Sequence, residues 1–146
     1  MTRRALGLGL ALVVGGVVAS RVLGSRPEAA YGDGPLAPCP SSPNCALVRV
    51  PLAAPPARVR AAARTAVQRD ASWHTGRAHR VAPTDDGLQA TFTVGPFRDR
   101  LAVAVEAEGD GSVLWVRSRS EIGRSDLGIN RLRVRRLVEA IRAELD

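Results

Sequence analysis

Residues 88–120 read LQATFTVGPFRDRLAVAVEAEGDGSVLWVRSRS, and their alternation decides the fold class. Leu88, Ala90, Phe92 and Val94 alternate with Gln89, Thr91 and Thr93, the two-residue period of a half-buried strand. Gly95 to Asp99 then turns the chain. Leu101 to Ala107 repeats the pattern with Leu101, Val103 and Val105 on one face. Gly109-Asp110-Gly111 supplies a hairpin turn. Val113 to Ser120 sets Val113, Trp115, Arg117 and Arg119 against Leu114, Val116, Ser118 and Ser120. Connections this short join antiparallel neighbours.

Upstream, Trp73 to Ala82 is a fourth strand, less regular because His, Gly and Arg interrupt it. Pro83 to Gly87 turns it into the next. Before it, Pro55-Pro56 suit a helix start, where no amide donor is needed. Ala57 to Asp70 follows with Val59, Ala62, Ala63, Ala66 and Val67 at helical spacing. Residues 47–53 form a short extended segment. Downstream, a helix runs from about Leu127 to Leu145. Its apolar stripe is Leu127, Val134, Leu137, Val138, Ile141 and Leu145, with Arg131, Arg133, Arg135, Arg136 and Arg142 mostly outside it. Helix, four strands, helix predicts a two-layer α+β domain: an antiparallel sheet of about four strands with both helices on one face.

The N-terminus has a different character. Residues 5–20, ALGLGLALVVGGVVAS, are uncharged and apolar, and Arg3, Arg4 and the free amine precede them. That is the layout of an export signal, with its basic end staying in the cytoplasm. As a helix the run spans roughly 24 Å, short of a hydrocarbon core of about 30 Å. Arg21 can snorkel and let Val22 and Leu23 extend it. An uncleaved membrane anchor over residues 1–23 is the first expectation; cleavage after the small residues Val18-Ala19-Ser20 is the second. Residues 24–38, rich in Gly, Pro and Ala, read as a linker to a domain over 39–146.

The chain has a formal charge of +7, and all of its 21 cationic residues are Arg. Residues 1–26 hold four of them and no acid, so the remainder balances 17 Arg against 14 acids. Aromatics are scarce and no basic patch alternates with stacking side chains, which leaves nucleic-acid binding unsupported.

Cys39-Pro-Ser-Ser-Pro-Asn-Cys45 places two thiols five residues apart. In an oxidising compartment a structural disulfide is expected, worth about 1–3 kcal/mol because the prolines already restrict the open ring. A metal pair completed by His74 and His79, or a redox-active pair, are the rival readings. Neither the tight redox spacing nor a zinc-ribbon spacing is present, and no metal site or cofactor is expected.

Between the last strand and the last helix lies a polar turn. Ser125 or Asp126 can cap the helix by accepting first-turn amides, Gly123 and Gly128 permit unusual backbone angles, and the Asn130 side chain in the first turn can tie the helix start to a strand. That purely structural reading competes with an anion site. The helix N-terminus carries a partial positive charge, and Arg117, Ser118, Arg119, Ser120, Arg124, Ser125, Asn130 and Arg131 can surround it. Asp126 argues against an anion there. Catalysis has weaker support: no strand-turn-helix nucleophile motif is present, and no Gly-rich phosphate loop. No residue is assigned as catalytic.

Three blocks resemble the bacterial and plastid family called domain of unknown function 1499. CPSSPNC at 39–45 is similar to its Cys-Pro-x-x-Pro-Asn-Cys start. LQATFTVGPFRDRLAV at 88–103 resembles its strand, Phe-x-Asp turn and following strand. VRSRSEIGRSDLGINRLRV at 116–134 is close to its Arg-Ser-x-Ser-x-x-Gly-x-Ser-Asp-x-Gly-x-Asn-Arg-x-Arg signature. The chain departs at Arg100, where an acid is common, leaving Asp99 alone. The resemblance implies an exported or membrane-associated domain and brings no activity or substrate.

The expected function is a non-enzymatic envelope module, tethered through residues 5–23, on the cell membrane or in the extracytoplasmic space. Its partner would be a protein, a lipid head group or a small anion. The alternatives are a hydrolase using Ser118 or Ser125 of the polar turn, and a thiol/disulfide redox protein using Cys39 and Cys45.

Overall fold

The computed structural model describes residues 34–69 and 76–146. The N-terminal apolar run, most of the linker, Trp73 and His74 lie outside the described residues. The described elements are β1 (Cys45–Leu52), α1 (Pro56–Arg69), β2 (Arg77–Pro83), β3 (Gly87–Val94), β4 (Phe97–Glu108), β5 (Gly111–Ser120) and α2 (Ile129–Leu145). The strands form one antiparallel sheet in the order β1-β5-β4-β3-β2. The predicted α+β class holds, but the sheet has five strands instead of four. The extended segment before the first helix is the fifth. It pairs with β5 over eight consecutive positions, from Cys45 opposite Arg119 to Leu52 opposite Ser112. An edge position tolerates Pro51, which cannot donate to a second neighbour.

β2 to β5 form the predicted meander. β1 lies at the opposite edge from β2, so α1 carries the chain across the whole width of the sheet. Both helices pack on the same face. Val59, Ala62, Ala63, Ala66 and Val67 of α1 and Val134, Leu137, Val138 and Ile141 of α2 share a core with Val50, Leu88, Ala90, Phe92, Leu101, Val103, Val105, Leu114 and Val116. Burying each large aliphatic or aromatic side chain contributes roughly 1.5–3 kcal/mol. The alanines of α1 let its backbone approach the sheet closely.

Two boundaries and the burial of one residue differ from expectation. β4 begins at Phe97, so Gly95 and Pro96 alone make the turn and Asp99 is a strand residue. Phase then puts Asp99 on the helix-covered face with Leu101 and Val103. α2 begins at Ile129, so Leu127 is outside the helix and 94% exposed instead of buried. Arg133, expected at the surface, is 0% exposed.

The other sheet face has no helix. Its β1–β5 half carries a small second core of Leu47, Ala104, Val113 and Trp115. Residues 34–39 lie over it as a strap, with Leu36 and Cys39 packed against the cluster. Gly34 is required there: a Cβ would come within 2.7 Å of the Trp115 ring. Trp115 donates its indole N–H to Glu106 Oε2 (2.9 Å) and lies under Arg49, which pairs with Glu108. The Cys39–Cys45 disulfide joins the strap to the first residue of β1.

Candidate functional site

The three sequence blocks meet inside the domain, at the end of the sheet where β5 runs into α2. Their polar side chains occupy the helix-covered face in phase with the apolar ones. Asp99 of β4, Ser118 and Ser120 of β5, Asn130 and Arg133 of α2 and Asn44 from the disulfide ring are all buried. Arg133 lies over the Phe92 ring, 4.5 Å from its centroid. Its guanidinium donates to Asp99 Oδ2 (2.7 Å), Ser118 Oγ (2.8 Å) and Asn130 Oδ1 (2.9 Å). A buried cation with a carboxylate, two further acceptors and an aromatic face is the arrangement that makes burial of the charge tolerable.

Asn130 is the hub. Its Oδ1 accepts from Ser118 Oγ as well as Arg133. Its Nδ2 donates among Ser120 Oγ (2.8 Å), the Asn44 carbonyl (3.1 Å) and Asp126 Oδ2. Asn44 in turn donates its side-chain amide to the Gly123 carbonyl, and its own carbonyl accepts the Ser120 backbone N–H at 3.0 Å. The disulfide ring, β5, the polar turn and α2 are thus fastened to one another. The N-cap position itself is Gly128, left-handed at φ 83°. Asp126, two residues earlier, accepts the N–H groups of Gly128 (2.9 Å) and Asn130 (2.8 Å). Ser125 Oγ accepts only weakly from Leu127 N–H, at 3.4 Å.

The eight residues read as a possible anion site therefore separate. Ser118, Ser120 and Asn130 are interior parts of the staple. Arg124, Ser125 and Arg131 are exposed on the turn and the start of α2. Arg117 and Arg119 point to the opposite, helix-free face of the sheet. A nucleophilic Ser118 would have no histidine base among the described residues, since His79 lies on that opposite face and Ser118 is bonded to Arg133 and Asn130. Arg133, Asp99, Asn44 and Phe92 were not anticipated as partners. The available signal was phase: Asp99 falls on the same side of its strand as Leu101 and Val103, and an inward carboxylate demands a cation.

On the helix-free face, the half not covered by the strap forms a groove of about 410 Å³. His79 and Arg80 of β2, Gln89 and Thr91 of β3, Arg98 and Arg100 of β4 and Arg117 of β5 line it, with Glu121 at one end. Glu121 pairs with Arg100 at 2.6 Å. Among the described residues no carboxylate pairs with Arg80, Arg98 or Arg117. Arg80 sits in the bulge between His79 and Ala82 with φ 50°, a conformation disfavoured for a residue with a Cβ; bulges of this kind re-aim side chains.

Arg117 stands where the groove meets the strap. Its Nε is buried and has no hydrogen-bond partner among the described residues. Among the described residues its side chain makes one hydrogen bond, a long one from a terminal nitrogen to the Pro38 carbonyl at 3.5 Å. Burial pushes the guanidinium below its ordinary pKa, and the charge of neighbouring Arg119 pushes in the same direction. Both effects mean that the cation lacks the compensation that Arg133 enjoys.

The fold and these sites define a class: a two-layer α+β domain, closed by a small disulfide ring, whose signature motif builds an interior polar staple beneath an arginine-lined sheet face. The chain belongs to the family described as Protein of unknown function (DUF1499), whose profile matches residues 35–141. No curated protein and no solved structure matches it.

Proposed function

We propose that the protein is a membrane-tethered, extracytoplasmic binding module that holds an anionic group in the groove at Arg117. The observation that carries this reading is the buried Arg117 Nε without a partner among the described residues, in a groove where Arg80 and Arg98 are also free of carboxylates and only Arg100 is paired, with Glu121. An oxyanion bridging these groups would supply the missing acceptor and relieve the Arg117–Arg119 repulsion. The apolar leader supports the tether, and the cystine ring suits an oxidising compartment.

The reading is tested by following arginine Nε–H resonances of the full chain in detergent while inorganic phosphate is added. The Arg117 signal is expected to move. Arg117→Gln should weaken binding roughly tenfold to a hundredfold, the worth of one charge-assisted hydrogen bond. It should leave the melting temperature essentially unchanged, because the lost group satisfies nothing buried. Arg124→Gln, on the turn and outside the groove lining, should bind normally. A titration in which no groove arginine responds, or in which Arg117→Gln behaves as the parent, would sink the reading.

A further inference from the structure

The exposed large hydrophobic residues among those described are Phe97 (53%), Ile122 (73%) and Leu127 (94%). All three lie at one end of the domain. Asp99 pairs with Ser120, and the Glu121 N–H bonds the Arg98 carbonyl at 2.9 Å. Continuing that register brings Phe97 opposite Ile122. Leu127 follows on the same turn, just before α2. A fully exposed leucine is ordinary by itself, but Leu127 also holds φ 54°, which a side chain bearing a Cβ resists. The bonds from Asp126 and Ser125 to the amides around it fix that conformation and present the side chain outward.

The cations around this tip are free of carboxylates. Arg98, Arg119 and Arg124 are exposed there, and none forms an ion pair among the described residues. The acids at this end are occupied: Glu121 by Arg100, Asp99 by Arg133, Asp126 by the backbone amides. Apolar side chains ringed by unpaired arginines complement a surface that is anionic outside and apolar beneath. The chain beyond the described residues supplies a reason for such a surface to be near. The anchor expected over residues 1–23 leaves residues 24–33 as spacer, which could extend at most about 35 Å, beyond the roughly 25 Å length of α2.

We infer that this end of the domain, with Phe97, Ile122 and Leu127 at its tip and Arg98, Arg119 and Arg124 around them, docks on an anionic bilayer surface. The inference shares the membrane setting of the reading above and has only Arg98 in common with the groove. Docked in this way, the mouth of the groove at Arg98 faces the headgroup layer.

Hydrogen exchange of the full chain in nanodiscs tests it. In discs of phosphatidylcholine with a minority of phosphatidylglycerol, the amides of Phe97, Arg98 and residues 122–128 should exchange several-fold more slowly than in pure phosphatidylcholine. Each of the three arginines should add roughly fivefold to docking affinity at low salt. F97S/I122S/L127S should abolish the slowing while keeping the parent's melting temperature and its phosphate response at Arg117. Discs that hold the chain without slowing at the tip overturn the docking and leave the groove standing. Equal slowing in both lipids overturns the role of the arginines and with it the proposal. A chain that joins neither disc overturns both docking and tether; one that joins only the anionic disc, slowed at the tip, supports docking while removing the tether.

Discussion

Asp99→Ala should cost the fold about 3–5 kcal/mol, because it strands the Arg133 guanidinium in the core with no carboxylate. For a domain of this size that is a fall in melting temperature on the order of 15–25 °C. Arg133→Met should cost less than Asp99→Ala, since a flexible apolar chain can fill the space over Phe92, although Asp99 is then left unpaired. The double variant D99A/R133M should recover much of the loss, since removing both charges also removes the desolvation cost. Arg133→Lys should not rescue: a point charge cannot reach Asp99, Ser118 and Asn130 together. Chemical denaturation of the four proteins gives the coupling energy directly. If Asp99→Ala loses less than about 1 kcal/mol, the pair is not a stabilising element of this core.

The second large effect is at Asn130. Asn130→Ala takes an acceptor from the Ser118 hydroxyl and from Arg133 and the donor from Ser120 Oγ, while the Asn44 carbonyl keeps the Ser120 N–H; at about 1–3 kcal/mol per unsatisfied group the expected loss is about 3 kcal/mol or more. Asn130→Asp separates shape from chemistry. It keeps the volume but replaces the Nδ2 donor with an oxygen facing Asp126 Oδ2, Ser120 and Asn44. At neutral pH two carboxylates then meet at this site; Arg133 at Oδ1 favours the ionised form, but its charge is already matched by Asp99, and burial with Asp126 alongside outweighs it, so the introduced carboxyl binds its proton more tightly in the folded chain than in the unfolded one. The folded state takes up the extra proton as the pH falls, so the variant should regain stability relative to the parent in acid and lose most near neutrality and above. Melting curves across pH check the sign. A deficit that is constant with pH would mean that Asn130 acts as a donor of little consequence.

Much of the fold could be read from residue order alone. The period-two alternation from Leu88 to Ser120 fixed three strands and their pairing, and the alanine-rich face fixed α1. β1 was missed as a sheet member because Pro51 and the brevity of the segment mask its alternation, and its partner β5 is more than sixty residues away. The polar signature was harder. The alternation of residues 113–120 already sets Ser118 and Ser120 on the face opposite Arg117 and Arg119; what it lacks is Asp99, which the sequence reads as part of a turn and so gives no phase. With phase applied throughout, Asp99, Ser118 and Ser120 point inward toward a helix that offers Asn130 and Arg133 at the same spacing as Val134 and Leu137. The groove could not have been anticipated by spacing, since Arg80, Arg98 and Arg117 come from three strands and one of them depends on a bulge.

The strap has a mechanical meaning. It runs back over Trp115 before the chain turns into β1, and the sulfur–sulfur link ties its end to the first rung of the ladder. Tension arriving through Gly34 would peel Leu36 from the indole first. Load would then pass covalently from Cys39 to Cys45, leaving residues 40–44 slack and the Asn44 bonds unstressed. A pull from the residues before Gly34 would thereby be absorbed by a renewable contact before it reached the interior that holds the molecule together.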